Sequence, residues 1–277
     1  DRCLFLTTVI FLRKIQEVEE MTCGKKLLIC QDSMEGIFSA VYDGWIWGAR
    51  GYQIEISTCE PEYPELFCTS VEIPSDSEKA LKVARSVKQK LGENTYRAVC
   101  CAAVSVHPDK GTAVFYLLRK ALGQGRCDRH IMEALADPAV NLVSSLQVKV
   151  WHEIHRFYGF VRFRELGGGV LYSGISPQND ILEFLEPHFS DRFPNENWMI
   201  YDQNRHKVLA HPKGGECTVY KEVAPDQNQE EMPAEEDVYE DLWKAFCQYI
   251  TIPERRNPSL QKQFAPLKFR SNMTEFL

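Results

Sequence analysis

The chain has 277 residues, 44% hydrophobic and 26% charged, which is material for one large or two modest globular domains. No apolar run approaches the roughly 20 residues needed to span a bilayer, so no membrane partner is expected. The net charge of −7 is a local effect: residues 222–241 hold nine acids and no Lys or Arg, and the remainder carries 32 basic against 30 acidic residues.

Residues 1–20 read as an N-terminal extension, with Met21 as the natural start; an ordinary N-terminal strand or helix is the alternative. The apolar run Cys3–Leu12 is followed by Arg13 and Lys14 rather than by a small-residue cleavage site, which argues against a signal peptide. From residue 21 to 158 the region reads as mainly helical. Lys26–Cys30 is a short strand, and Glu35–Trp47 a helix with Ile37, Phe38 and Val41 on one side. Gln53–Ser57 and Val71–Pro74 read as short extended pieces. Ser75-x-x-Glu78 reads as a capping box opening a helix to Leu91. Helices near 94–105, 113–123 and 128–135 follow. Asp137-Pro138 then supplies an N-cap and a first-turn proline for a helix whose stripe is Val143, Leu146, Val150, Ile154 and Phe157. At 100° per residue, Lys149, His152 and Arg156 fall on its other face, with His155 at the flank.

After Gly159 the period becomes alternating. Phe160–Glu165 and Val170–Ile175 flank three glycines, a hairpin signal. A short helix from Ser176-Pro177 turns Ile181, Leu182 and Leu185 inward. Strands at 197–202, 207–211 and 217–222 precede the acidic loop, and Glu236–Ile250 forms an amphipathic helix bearing Leu242, Trp243 and Phe246. The expected class is α+β: a helical N-terminal half, then a mostly antiparallel sheet with packed helices, in an α+β domain over 159–277.

The ten cysteines form no Cys-x-x-Cys pair, so neither a zinc ribbon nor an iron–sulfur site is expected. They read as reduced thiols of a cytoplasmic protein, with Cys100-Cys101 buried in an apolar helix. His152 and His155 lie three apart but lack a third ligand, so no metal is called, and no cofactor. The weak catalytic candidates are His155 and a carboxylate, Asp180. The stronger signal is basic. In Phe160-Val-Arg162-Phe-Arg164 a strand would place both guanidiniums on one face roughly 6.6 Å apart, a spacing that suits successive phosphates of an extended strand. The alternative is a solvent-facing arginine pair, or one tied to internal carboxylates. With Arg156 and the basic tail residues Arg255, Arg256 and Lys268, Arg162 and Arg164 form the expected nucleic-acid contact.

Eight segments, in order, carry a family resemblance: Asp32–Asp43, Asp137–Val140, His155–Glu165, Asn179–Leu182, Pro187–Phe193, Asn197–Asp202, Leu242-Trp243 and Glu254–Pro258. Over about residues 26–277 the chain resembles a bacterial family of DNA-metabolism (DNA-repair) proteins. Its members are typically encoded beside a radical-SAM protein itself labelled a DNA modification or repair enzyme. Their C-terminal domain, of unknown function, also occurs fused to uracil-DNA-glycosylase-like proteins. The chain departs from the family at Ala265–Arg270, where Met-Pro, an aromatic pair and a basic residue are expected. The resemblance implies a DNA-binding accessory protein acting with a radical-SAM partner. An enzyme acting directly on nucleic acid, a nuclease or glycosylase-like hydrolase, is the alternative.

Overall fold

The computed structural model describes residues 24–61, 63, 66–125, 127–166, 169–221, 238–249, 257–270 and 272–276. The expectations for residues 1–20, for the acidic loop up to residue 237 and for Arg255 and Arg256 lie outside them. The described chain mixes helix and strand and falls into two compact units, Asp1–Lys149 and Val150–Leu277.

The first unit is built on three parallel strands: β1 Lys25–Cys30 lies between β2 Gln53–Ser57 and β3 Cys68–Ile73. Among its helices this region therefore carries a sheet of its own, made of the three segments read as extended. The three segments read individually as extended, but their pairing joins residues far apart in the chain and leaves no local trace. Leu28, Cys30, Ile54 and Ile56 are buried on it. Helix α1, Met34–Ala49, is capped by Ser33, whose side chain accepts from the Gly36 amide. Helix α2 is Ser77–Leu91, and its cap is Asp76, accepting from the Glu78 and Lys79 amides, rather than Ser75. Ser75 instead donates to Gln31 Oε1.

Helix α3, Glu93–Ala103, buries Cys100 and Cys101 as expected. Burial pushes the Cys101 thiol up to about 11 and that of Cys30 up to about 12. Helix α4, Lys110–Leu122, lies against β2, where Thr112 Oγ1 accepts from the Ile56 amide and donates to its carbonyl. That hydroxyl satisfies edge-strand groups that would otherwise lack partners. Only Gly111 fits beside it, because a Cβ there would come within 2.6 Å of Ile56. The helix expected over 128–135 is a single 3₁₀ turn, Ile131–Glu133. Helix α5 spans Pro138–Phe160, with Asp137 accepting from the Ala139 and Val140 amides as the N-cap.

In the second unit the strands are β4 Arg164–Leu166, β5 Val170–Ile175, β6 Asn197–Asp202, β7 Lys207–His211 and β8 Thr218–Tyr220, ordered as numbered. Three of the four pairings are antiparallel. The exception is β5–β6, joined in parallel through α6, Leu182–Arg192. Its core gathers Leu182, Leu185 and Phe189 of α6 with Ile175, Trp198, Ile200 and Leu209 of the sheet. The expected strand Phe160–Glu165 is corrected: Phe160 ends α5, and the Val161 amide still donates to Phe157 O at 3.1 Å. Helices α7 Val238–Tyr249, α8 Pro258–Phe264 and α9 Leu267–Arg270 complete the unit.

Candidate nucleic-acid interface

Arg162 is not on a strand face with Arg164. It sits just past the end of α5, where its Nη1 donates to Gly159 O at 2.7 Å and Val161 O at 3.2 Å. A helix C-terminus leaves carbonyls without partners, and a guanidinium is suited to cap them. The same group makes a two-point contact with Glu275, at 2.8 Å through Nη2 and 3.3 Å through Nε. Trp243 Nε1 donates to Glu275 Oε2 as well, and Arg162 lies 5.8 Å from the Trp243 ring centroid. Burial alone would raise the Glu275 carboxyl, but the hydrogen bonds it accepts from Arg162, the backbone and Trp243 hold it below its ordinary value. Arg162 is thus tied to an internal carboxylate, though not to Glu165 or Asp180.

Arg156 and Lys268 are brought together. They come from α5 and α9, and both lie over one ring, Phe269, at 5.7 and 5.0 Å. Phe269 is buried and packs against Phe157 and Phe160, with centroids 5.1 and 5.3 Å away. Both cations are exposed above this apolar floor. Lys268 also reaches Gln178 Oε1 at 3.4 Å and stands 4.0 Å from Glu153. Arg164, exposed on β4, lies 5.1 Å from the ring of Tyr172, its register partner on β5. Neither Arg156 nor Arg164 has an ion-pair partner among the described residues.

A rigid polar frame supports this surface where the parallel strands β5 and β6 end. Glu153, buried in α5, accepts from the Gln178 and Asn179 amides at 2.9 and 3.0 Å and from Asn179 Nδ2 at 2.5 Å. Asp202, fully buried at the end of β6, accepts from the Asn204 and Arg205 amides and from the Arg205 guanidinium. Burial raises its carboxyl above the ordinary value, against the pull of Arg205 and those amides. Arg205 in turn donates to Pro177 O and Gln178 O. Asp180 is ion-paired with Lys207. The frame therefore locks the segment 177–180 to the turn after β6.

His155 is exposed and edge-on to Tyr158, which stacks on His188 at 4.2 Å. His188 Nε2 is buried and has no hydrogen-bond partner among the described residues. Burial, then Arg192, and more weakly His155 lower its pKa, against Asp191. Among the described residues no group of three or more His, Cys, Asp or Glu could hold a metal ion. No helix among them is long and apolar enough to cross a membrane.

Residues 108–275 match a family described as a domain of unknown function, DUF4130. That is more than half of the chain. The chain belongs to this family. The matched DUF4130 region includes Arg156, Arg164, Lys268 and Phe269, as well as the Glu153 and Asp202 frame. A comparison with curated proteins finds no match.

Sequence reasoning missed Glu153 and Glu275. Both are single acids, and only their amide, guanidinium and indole partners, contributed from elsewhere in the chain, distinguish them.

Proposed function

We propose that this protein binds nucleic acid through its second unit, with Arg156, Lys268 and Arg164 as phosphate contacts. It would act as an accessory protein in DNA repair or modification beside a radical-SAM partner. The observation that carries the binding reading is the placement of Arg156 and Lys268 over Phe269. Two exposed cations from separate helices share one apolar floor and are not consumed by a strong internal ion pair. Such cations are available for the charge-assisted bonds that phosphate oxygens accept. The repair context and the partner rest on the ordered motifs of the resemblance. The alternative, an enzyme using His155 with Asp180, is less well supported because Lys207 occupies the Asp180 carboxylate.

The test is fluorescence anisotropy of labelled single- and double-stranded DNA against the full chain over a salt series. Each lost phosphate contact lowers the slope of log affinity against log salt by about 0.7 for single strands. Arg156→Ala/Lys268→Ala should therefore weaken binding and flatten the slope with an unchanged circular dichroism spectrum. A folded variant with the wild-type slope would move the site elsewhere. Strand cleavage or base release with added Mg²⁺ or Zn²⁺ would favour the enzyme.

A further inference from the structure

The five-stranded sheet of the second unit has two unlike faces. Residues in register on adjacent strands point to the same side. One side carries Trp198, Ile200, Asp202 and Leu209, all buried. The other is crossed by two rows. Arg164, Tyr172, Met199, Ala210 and Thr218 stand in register from β4 to β8, and Gly174, Tyr201, Val208 and Tyr220 from β5 to β8. None of these nine residues is buried. A sheet with one face in water ordinarily turns polar and charged residues outward. Here the only charge is Arg164, which has no ion-pair partner among the described residues, and three strands in turn present a tyrosine ring. Arg164 lies 5.1 Å from the Tyr172 ring centroid, and the Tyr201 hydroxyl is held by His206 Nδ1 at 2.7 Å. The residue in register with Tyr201 on β5 is Gly174, so no side chain from that strand screens the ring. A glycine inside a strand is a common mark of close approach by a ligand.

Size and charge select the occupant. Five strands about 4.8 Å apart, with outward residues about 6.8 Å apart along each, outline a patch of roughly 300 Å². A stable protein interface takes about 800 Å² from each partner, so a second copy or another folded protein would need much more than this face. The patch matches instead the two or three bases that sheet-borne aromatics stack in single-strand readers. A lone cation without an acid beside it fits a phosphate between such bases.

We infer that this open sheet face, with the rings of Tyr172, Tyr201 and Tyr220 and the guanidinium of Arg164, takes unpaired nucleotides. The inference rests on the nucleic-acid reading above and names the form of nucleic acid bound. Bases inside a duplex are already stacked on each other and offer no free π-face, whereas single strands, loops and extruded bases do.

The experiment measures affinity for a labelled oligothymidylate and for a duplex of equal length. Wild type is compared with Tyr172→Leu/Tyr201→Leu, which keeps apolar bulk, and with Tyr172→Phe/Tyr201→Phe, which keeps both rings but loses the bond to His206. Loss of stacking should lower single-strand affinity at least about fivefold for the leucine pair. The salt slope and the duplex affinity should not change, and the phenylalanine pair should bind close to wild type. Tyr220→Leu, at the exposed edge strand, carries the same test should the leucine pair misfold. Equal losses on both ligands, no loss on the single strand, or equal losses for the leucine and phenylalanine pairs would overturn the assignment. So would light scattering that finds a wild-type dimer dissociated by the leucine pair, because a second copy would then own this face. If wild type binds neither DNA form at low salt, the underlying reading falls and the sheet face with it. If Arg156→Ala/Lys268→Ala weakens binding while the leucine pair does not, only the sheet face falls.

Discussion

Arg162 and the Arg156–Lys268 pair belong to the same basic, aromatic stretch of the second unit, yet their surroundings give them opposite roles. Arg162 meets a largely buried carboxylate, a helix end and an indole, so its charge is spent inside the molecule. Arg156 and Lys268 meet a ring beneath them and water above. The rings do not separate the two cases, since each cation has one. What separates them is the carboxylate: Glu275 neutralises Arg162 closely, whereas Lys268 is only distantly faced by Glu153, whose oxygens already serve two amides and a side-chain amide. A basic run therefore marks a binding surface only where its cations lack a close internal acid.

The comparison is broken most forcefully at the acids. Glu153→Ala removes the acceptor for three donors at Gln178 and Asn179, and leaving buried donors unpaired should cost on the order of 3 kcal/mol. Urea unfolding should show this as an earlier midpoint, with Glu153→Gln less affected because one carbonyl oxygen remains. A variant as stable as wild type would mean that the 177–180 segment needs no such anchor. Arg162→Ala comes next, at about 2 kcal/mol, because Glu275 is stranded but retains some access to water. Its effect should depend on pH. The Glu275 carboxyl is held below its ordinary value of 4.5, so the stability it contributes is present above that pH. It fades as the pH falls toward the lowered native value, so the gap between wild type and variant should narrow in acid. A gap that is constant down to pH 3 would assign the loss to the helix cap alone.

Much of the second unit was legible because its pattern is local. Alternation marks β5, β6 and β7, and Val150, Ile154 and Phe157, the end of a longer stripe, mark the part of α5 that belongs to this unit. The misreading at Phe160–Phe163 has a physical cause: Phe-Val-Arg-Phe-Arg alternates like a strand, but α5 continues to Phe160, and Arg162 caps the helix end. That cap and its acid, Glu275, are more than a hundred residues apart, so no window of sequence contains both. Likewise, Leu242, Trp243 and Phe246 have the spacing of a core-facing stripe. Only the fold shows that nothing among the described residues covers them fully. In the first unit the three strands were each legible, but their parallel pairing was not.

A smaller effect is expected at His188, whose buried Nε2 lacks a partner among the described residues and whose neighbours include Arg192, Asp191 and His155. Its pKa is lowered in the native state, so the neutral ring is favoured there. The associated stability is intact above the ordinary value of 6.5 and is lost as the pH falls from there toward the lowered native value. His188→Phe keeps the stack on Tyr158 and removes the titration, so its melting temperature should fall less than that of wild type between pH 7 and pH 5. Parallel curves over that interval would show that His188 does not carry the dependence.

The smallest expected effect on stability falls at Arg164, and that makes it the cleanest probe of the surface. It is exposed, lies over the Tyr172 ring, has no ion-pair partner among the described residues, and begins a three-residue edge strand. Replacing it by Ala should change stability by no more than about 0.5 kcal/mol. If the exposed cations face phosphate, the same change should lower the single-strand salt slope by about 0.7. Arg162→Ala provides the contrast, with a large stability loss and little change in slope after correction for unfolded protein. The reverse outcome, a shallow slope for Arg162→Ala and the wild-type slope for Arg164→Ala, would mean that Glu275 releases its arginine when nucleic acid binds. In that case the carboxylate would be a competitor for the phosphate rather than a permanent partner of Arg162.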